Sequence, residues 1–225
     1  PLVLGGAVTF RNDAVDAGSV LDIAGGITST SGTRSITLRG TNDGNNTLGG
    51  EINGSGATVF AVNKTDAGTW TVTGSILTKG TGANGGMAHT GGTINFADTS
   101  TVNLTGKVIV KDGGTINSAG TVSIGSTAGD YFTVGDGSDG ALNVTAGTFN
   151  VSAATGKAFV IATDVATGTV NVLGGTLSVT NNAPIRFGSW DGTGRDGQGT
   201  LTIAGTGVFD TGTTTASNSF VLGNG

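Results

Sequence analysis

Three aspartates, Asp136, Asp164 and Asp191, each follow a short apolar stretch: YFTVGD, AFVIATD and PIRFGSWD. If those stretches stack as strands, their carboxylates stand about 5 Å apart in a column, with Asp139 and Asp196 close by. Oxygen ligands at that spacing suit Ca²⁺. Calcium-binding nonapeptides, however, run in unbroken tandem series, and GDGSDGAL (135–142) and GTGRDGQ (192–198) are isolated and out of phase. An aspartate beside glycine is also ordinary turn chemistry. The sequence therefore predicts solvated turns, assigns no metal and no cofactor, and leaves calcium on Asp136, Asp164 and Asp191 as an open alternative.

Other chemistry finds less support. Glycoside hydrolysis needs two carboxyl groups roughly 5 to 9.5 Å apart, and Glu51 is the sole glutamate while the aspartates sit mostly next to glycine in turns. The ten Lys and Arg are scattered and form no cluster of the kind a polyuronate lyase needs. GTGANG (80–85) and GTGRDG (192–197) both read Gly-x-Gly-x-x-Gly, but neither precedes a helix whose N-terminus would hold a phosphate. His89 lies in a Gly-rich stretch with no second ligand near it in sequence, which predicts a solvated loop residue. With no cysteine there is no disulfide, thiolate metal site or cysteine nucleophile. The Asn-x-Ser/Thr triplets at Asn45, Asn53, Asn63, Asn103, Asn143 and Asn150 follow from strands that alternate Asn with Thr. No catalytic residue is assigned.

The two tryptophans read differently. Trp70 alternates with Val72 and is expected in the core, whereas Trp190 stands in SWDGTGRDGQ beside Asp191 and Arg195. There it either folds back over the body or meets a sugar ring or partner.

Composition narrows the classes. Ten basic residues against 15 acidic give a net charge of −5, which disfavours nucleic acid as a partner. Charged residues are 11% of the chain, below the roughly 25% typical of soluble domains, and 44 residues are glycine. Hydroxyls and amides must make the surface. No apolar run is long enough for a membrane-spanning helix, and the first residues, from Pro1, show no signal-peptide pattern. The reading is a mature piece or a fragment of something longer.

The elements behind these residues are short alternating strands. GALNV (140–144), GTFNV (147–151), GTVNV (168–172), GTLSV (175–179) and GTLTI (199–203) place alternate apolar residues on one face and Asn, Ser or Thr on the other. They recur in a longer period marked by Phe132, Phe159 and Ile185, which are almost evenly spaced; Phe220 follows after a wider gap because of the inserted SWDGTGRDGQ turn. Three strands in about 26 residues, joined by turns too short for crossover helices, predict a parallel β-solenoid of roughly eight or nine coils. Phe132, Phe159, Ile185 and Phe220 should form one inward column, with Val134, Ile161, Phe187 and Leu222 beside it. The first half uses the same vocabulary around the Gly/Asn-rich stretches 41–56 and 79–86, so residues 1–225 are taken as one solenoid region.

NKTDAGTWTVTG (63–74), a Gly-rich turn and GGTINF (91–96) resemble the autotransporter-associated β-strand repeat of bacterial surface proteins. The family pattern falls on Lys64, Gly68, Trp70, Val72 and Gly74, with Asp66 where glycine is common. ITLRGTNDGNNTLGGEINGSG (36–56) is similar to the segment leading into such a repeat. The resemblance implies a right-handed parallel β-helix, secreted and displayed outside the cell as one stretch of a longer polypeptide.

The resulting expectation is a non-enzymatic, extracellular or cell-surface structural or adhesive rod. Its partners would be other copies, joined laterally or end to end through Leu2 to Leu4 and Phe220 to Leu222, or extracellular matrix and glycans. A glycan-active β-helix enzyme and a passive spacer for a functional head are the alternatives.

Overall fold

The computed structural model describes residues 1–80, 85–125, 132–152, 158–180, 184–188 and 197–212, together with the backbone of 220–222. Among these residues there is no helix, and the chain is a parallel β-solenoid with three strands per coil. Strands are stacked into three sheets of nine, nine and eight. Sheet I begins at Leu2–Leu4, sheet II at Ala7–Arg11 and sheet III at Asp22–Ile23, and each successive strand of a sheet comes one coil later. Coils tolerate length differences at the turns: the coil between the paired Thr93 and Thr115 is short, and the one between the paired Thr169 and Thr200 is long.

Register follows the period read from the sequence. Val108, Phe132, Phe159, Ile185 and Phe220 are paired in succession in sheet II, and Val110, Val134, Ile161, Phe187 and Leu222 run beside them. Phe132 and Phe159 stack with ring centroids 5.0 Å apart and planes 3° from parallel, an arrangement contributing about 0.5–1.5 kcal/mol beyond area burial. In sheet III, Trp70, Ile94, Ile116, Leu142, Val170 and Leu201 make an equivalent inward column. Trp70 is fully buried, as alternation with Val72 predicts.

The glycine opening so many strands has a steric cause. Gly114, Gly140, Gly168 and Gly199 are stacked in register where sheet II turns into sheet III. A Cβ on Gly140 would lie 2.3 Å from the Val110 carbonyl oxygen, on Gly168 2.3 Å from that of Val134, and on Gly199 2.4 Å from that of Ile161. The corner is thus folded so tightly that a backbone carbonyl occupies the space of a side chain. Asp66 has φ 64°, the left-handed region that glycine enters without penalty and aspartate tolerates.

Candidate functional site

The outward face of sheet III is the most regular surface. Its strands Thr69–Val72, Thr93–Phe96, Gly114–Ser118, Gly140–Val144 and Thr167–Val172 bury their large apolar residues, and in Gln198–Ile203 Leu201 is partly buried while Ile203 is exposed. Every second residue points out, so Thr69, Thr93, Thr115, Ala141, Thr169 and Thr200 form one column. A second column runs Asp22, Thr47, Thr71, Asn95, Asn117, Asn143, Asn171 and Thr202.

That second column is hydrogen-bonded along the rod. Asn171 Nδ2 donates to Asn143 Oδ1 at 2.9 Å, Asn143 Nδ2 to Asn117 Oδ1 at 2.8 Å, and Asn117 Nδ2 to Asn95 Oδ1 at 2.9 Å. Asn95 Nδ2 then donates to Thr71 Oγ1 at 3.3 Å, and nearer the N-terminus Thr47 Oγ1 donates to the Asp22 carboxylate. All the amides point the same way, so the ladder is a line of aligned dipoles with its positive ends towards Asp22. Each asparagine still has one N–H and one lone pair available to a partner. From Thr47 to Thr202 neither column contains a charge.

Charge is concentrated instead on the edge of sheet II and its turns. Arg39 Nε and Nη2 donate to Asp66 Oδ2 and Oδ1 at 3.2 and 3.3 Å, and the Gly40 N–H reaches Asp66 Oδ2 at 3.3 Å. The Arg39 guanidinium is the main reason the Asp66 carboxyl sits below its ordinary range. Beneath this pair Lys64 is fully buried, its Nζ donating to the carbonyls of Thr65 at 2.8 Å, Asp66 at 2.7 Å and Gly91 at 3.1 Å. Burial pushes Lys64 down to about 8, opposed by the charge of Asp66. Trp70 Nε1 donates to the Arg39 carbonyl at 3.3 Å. Three consecutive coils are stitched at this corner.

His89 corrects its sequence reading. It is not a solvated loop residue but part of the strand Met87–Thr90, fully buried, paired in register with Lys64 on one side and Val110 on the other. Its Nε2 lies 3.0 Å from the Thr115 carbonyl oxygen, so that nitrogen carries the proton. Burial first and then the charge of Lys64 lower its pKa to about 4. The Gly-rich setting hid this because 85–86 are the turn and the alternation begins only at Met87.

The aspartate column is corrected as well. Asp136 pairs in register with Thr163, not Asp164. Asp136 Oδ1 accepts a hydrogen bond from Thr163 Oγ1 at 3.2 Å and lies 3.9 Å from Lys107 Nζ through Oδ2. Asp164 falls one position further on, at φ 53°, beside Gly137. Asp139 Oδ1 accepts the Thr167 N–H at 2.8 Å, a turn bond. Among the described residues no three His, Cys, Asp or Glu side chains converge on a metal position. Asp191, Asp196, Trp190, Arg195 and most of GTGANG and GTGRDG lie outside the described residues. Glu51 is exposed and accepts from Asn53 Nδ2 at 3.1 Å.

Sequence reasoning also missed a polar plug near the N-terminal end. Asn46, in the column of Trp70, donates to the Thr69 carbonyl at 2.8 Å and accepts from Leu21 N–H at 3.0 Å and Asn12 Nδ2 at 2.6 Å. Buried Asn42 donates to the carbonyls of Ala14 and Asp16 at 2.8 and 3.0 Å. Asn46 takes an inward position that the next coils fill with Trp70 and Ile94.

Comparison with known proteins returned no matching family model, no matching curated protein and no matching solved structure.

Proposed function

We propose that this chain is an extracellular structural and adhesive rod, part of a bacterial surface polypeptide of the kind its Lys64-to-Gly74 motif resembles, and that it acts through its outward faces and not through a reaction. The observation that carries this reading is the sheet III face, where hydroxyls and amides are held in two straight, uncharged columns over successive coils. Parallel backbone pairing fixes their spacing at about 4.8 Å along the rod. A partner meeting one coil correctly therefore meets the next ones too, and weak polar contacts add along the length. From Thr47 to Thr202 these columns carry no charge, which lowers the desolvation cost of such contacts.

The core serves this role by being rigid. Stacked Phe132 and Phe159, the glycine corner and the Lys64 stitch all fix one coil against the next, so that the outer columns stay straight. The test is retention of the purified chain, coupled to beads, on extracellular matrix and on neutral polysaccharide under flow. Binding that is saturable and lost by at least tenfold in Ala141→Lys supports the reading. Equal retention of the variant, or of beads carrying an unrelated protein, contradicts it.

A further inference from the structure

We infer that the sheet III face pairs with the same face of a second copy of this chain, the two rods lying antiparallel; this deepens the adhesive reading and rests on it. A surface repeating at every coil needs a partner with the same repeat along its whole length, and another rod of this chain has it by construction. Hydroxyls and amides both donate and accept, so the face is complementary to itself, as the isologous contact of a two-fold dimer requires.

Charge excludes sheet II, the unbroken amide ladder distinguishes sheet III from sheet I, and charge sets the orientation. The outward positions of sheet II carry Arg11, Arg39 and Lys111, and the outward line of sheet I, which also ends on one charge at exposed Asp210, is interrupted by Leu77. The two outward columns of sheet III have one charge, Asp22, at one end of the amide ladder. Parallel rods would set Asp22 against Asp22 and align two lines of dipoles side by side. Antiparallel rods set Asp22 against the hydroxyl end at Thr202 and oppose the dipoles, which removes both repulsions.

The area sets the strength. Eight strands at about 4.8 Å spacing span on the order of 38 Å, and about four residues of strand width add roughly 14 Å. One copy thus contributes on the order of 500 Å² and the pair about 1,000 Å², at the lower bound of specific interfaces. Pairing of this chain is therefore weak and reversible, and it strengthens with the number of coils engaged.

The chain has no cysteine, so single-cysteine variants report contacts directly. Thr47 and Asn171 lie second and seventh among the eight strands of sheet III, and antiparallel pairing about the centre brings one opposite the other. Thr47→Cys and Asn171→Cys, tagged to differ in mass, are mixed at high concentration under mild oxidation. The expected product is the mixed disulfide, at least tenfold above that formed by the same protocol with Thr37→Cys on sheet II. Predominant self-linked Thr47→Cys overturns the antiparallel arrangement, and no dimer above the Thr37→Cys control overturns pairing through this face. A chain that binds matrix but gives no mixed disulfide leaves the adhesive reading standing and the pairing refuted.

Discussion

Inside the core His89 is stacked directly on Lys64, the two paired in register on adjacent coils. The column that holds them is otherwise apolar, running from Phe10 and Leu38 on one side to Val110, Val134 and Ile161 on the other. One fully buried cation and one buried neutral imidazole therefore share a low-dielectric wall, and the rod's stability depends on both.

Lys64 has an ordinary pKa of 10.5 lowered to about 8 by burial. Between those values the unfolded chain holds more protons than the folded one, so the Lys64 contribution to stability rises with pH across that window. The full difference is on the order of 3 kcal/mol. Lys64→Met leaves the carbonyls of Thr65, Asp66 and Gly91 without this donor and should cost about 1–3 kcal/mol at pH 7. Thermal melts should show the wild type's advantage over Lys64→Met growing from pH 8 to 10.5. An advantage constant with pH would show that Lys64 is not desolvated.

His89 acts at the acid end. Its pKa falls from 6.5 to about 4, so its contribution is complete above pH 6.5 and is lost as pH falls through about 4. The wild type should lose on the order of 3 kcal/mol over that span relative to His89→Leu, which cannot titrate. Imidazole carbon shifts in nuclear magnetic resonance check the cause: the ring should still be neutral at pH 5, and a charged ring there refutes the assignment.

Gly140→Ala should destabilise the rod by about 3 kcal/mol or more, since its Cβ would meet the Val110 carbonyl oxygen at 2.3 Å. Gly113→Ala should cost only about 1–2 kcal/mol: its φ is +76°, yet no atom lies within 4 Å of the added carbon. Denaturation midpoints compare the two. Equal costs would mean that backbone conformation and not the close carbonyl sets the glycine requirement.

Asn143→Ala cuts the amide ladder between Asn117 and Asn171, removing two hydrogen bonds. The expected loss is about 1–2 kcal/mol, with the slowed exchange of the Asn171 side-chain amide abolished and that of Asn117, which donates to Asn95, retained. Unchanged exchange of the Asn171 amide would show that the ladder is not formed in solution.

The solenoid is legible in the sequence because one signal recurs at two scales. Alternation within GTVNV fixes which residues face inward, and the near-equal spacing of Phe132, Phe159 and Ile185 fixes which strands pair. Residues whose role depends on a neighbour in another coil are hidden. Lys64 and His89 are a whole coil apart and meet only through register, and nothing local in NKTDAG or GMAHTGG marks them as buried. The Asp136 and Asp164 column misses by one position, because Asp136 lies four residues after Phe132 and Asp164 five after Phe159, while the two strands pair residue for residue. The Asn95 to Asn171 ladder is visible as polar alternation, but its single direction of donation needs atomic positions.

The central claim is that the outward columns of sheet III carry the activity while the interior only holds them straight. Detachment of chain-coated beads under graded flow tests it most directly, with two variants beside the wild type. Ala141→Lys places a charge among the outward threonines without touching the amide ladder, and His89→Leu changes only the interior at neutral pH. The expected result is at least a tenfold loss of adhesion in Ala141→Lys at unchanged melting temperature, with His89→Leu retaining adhesion. Wild-type adhesion in Ala141→Lys would contradict the claim.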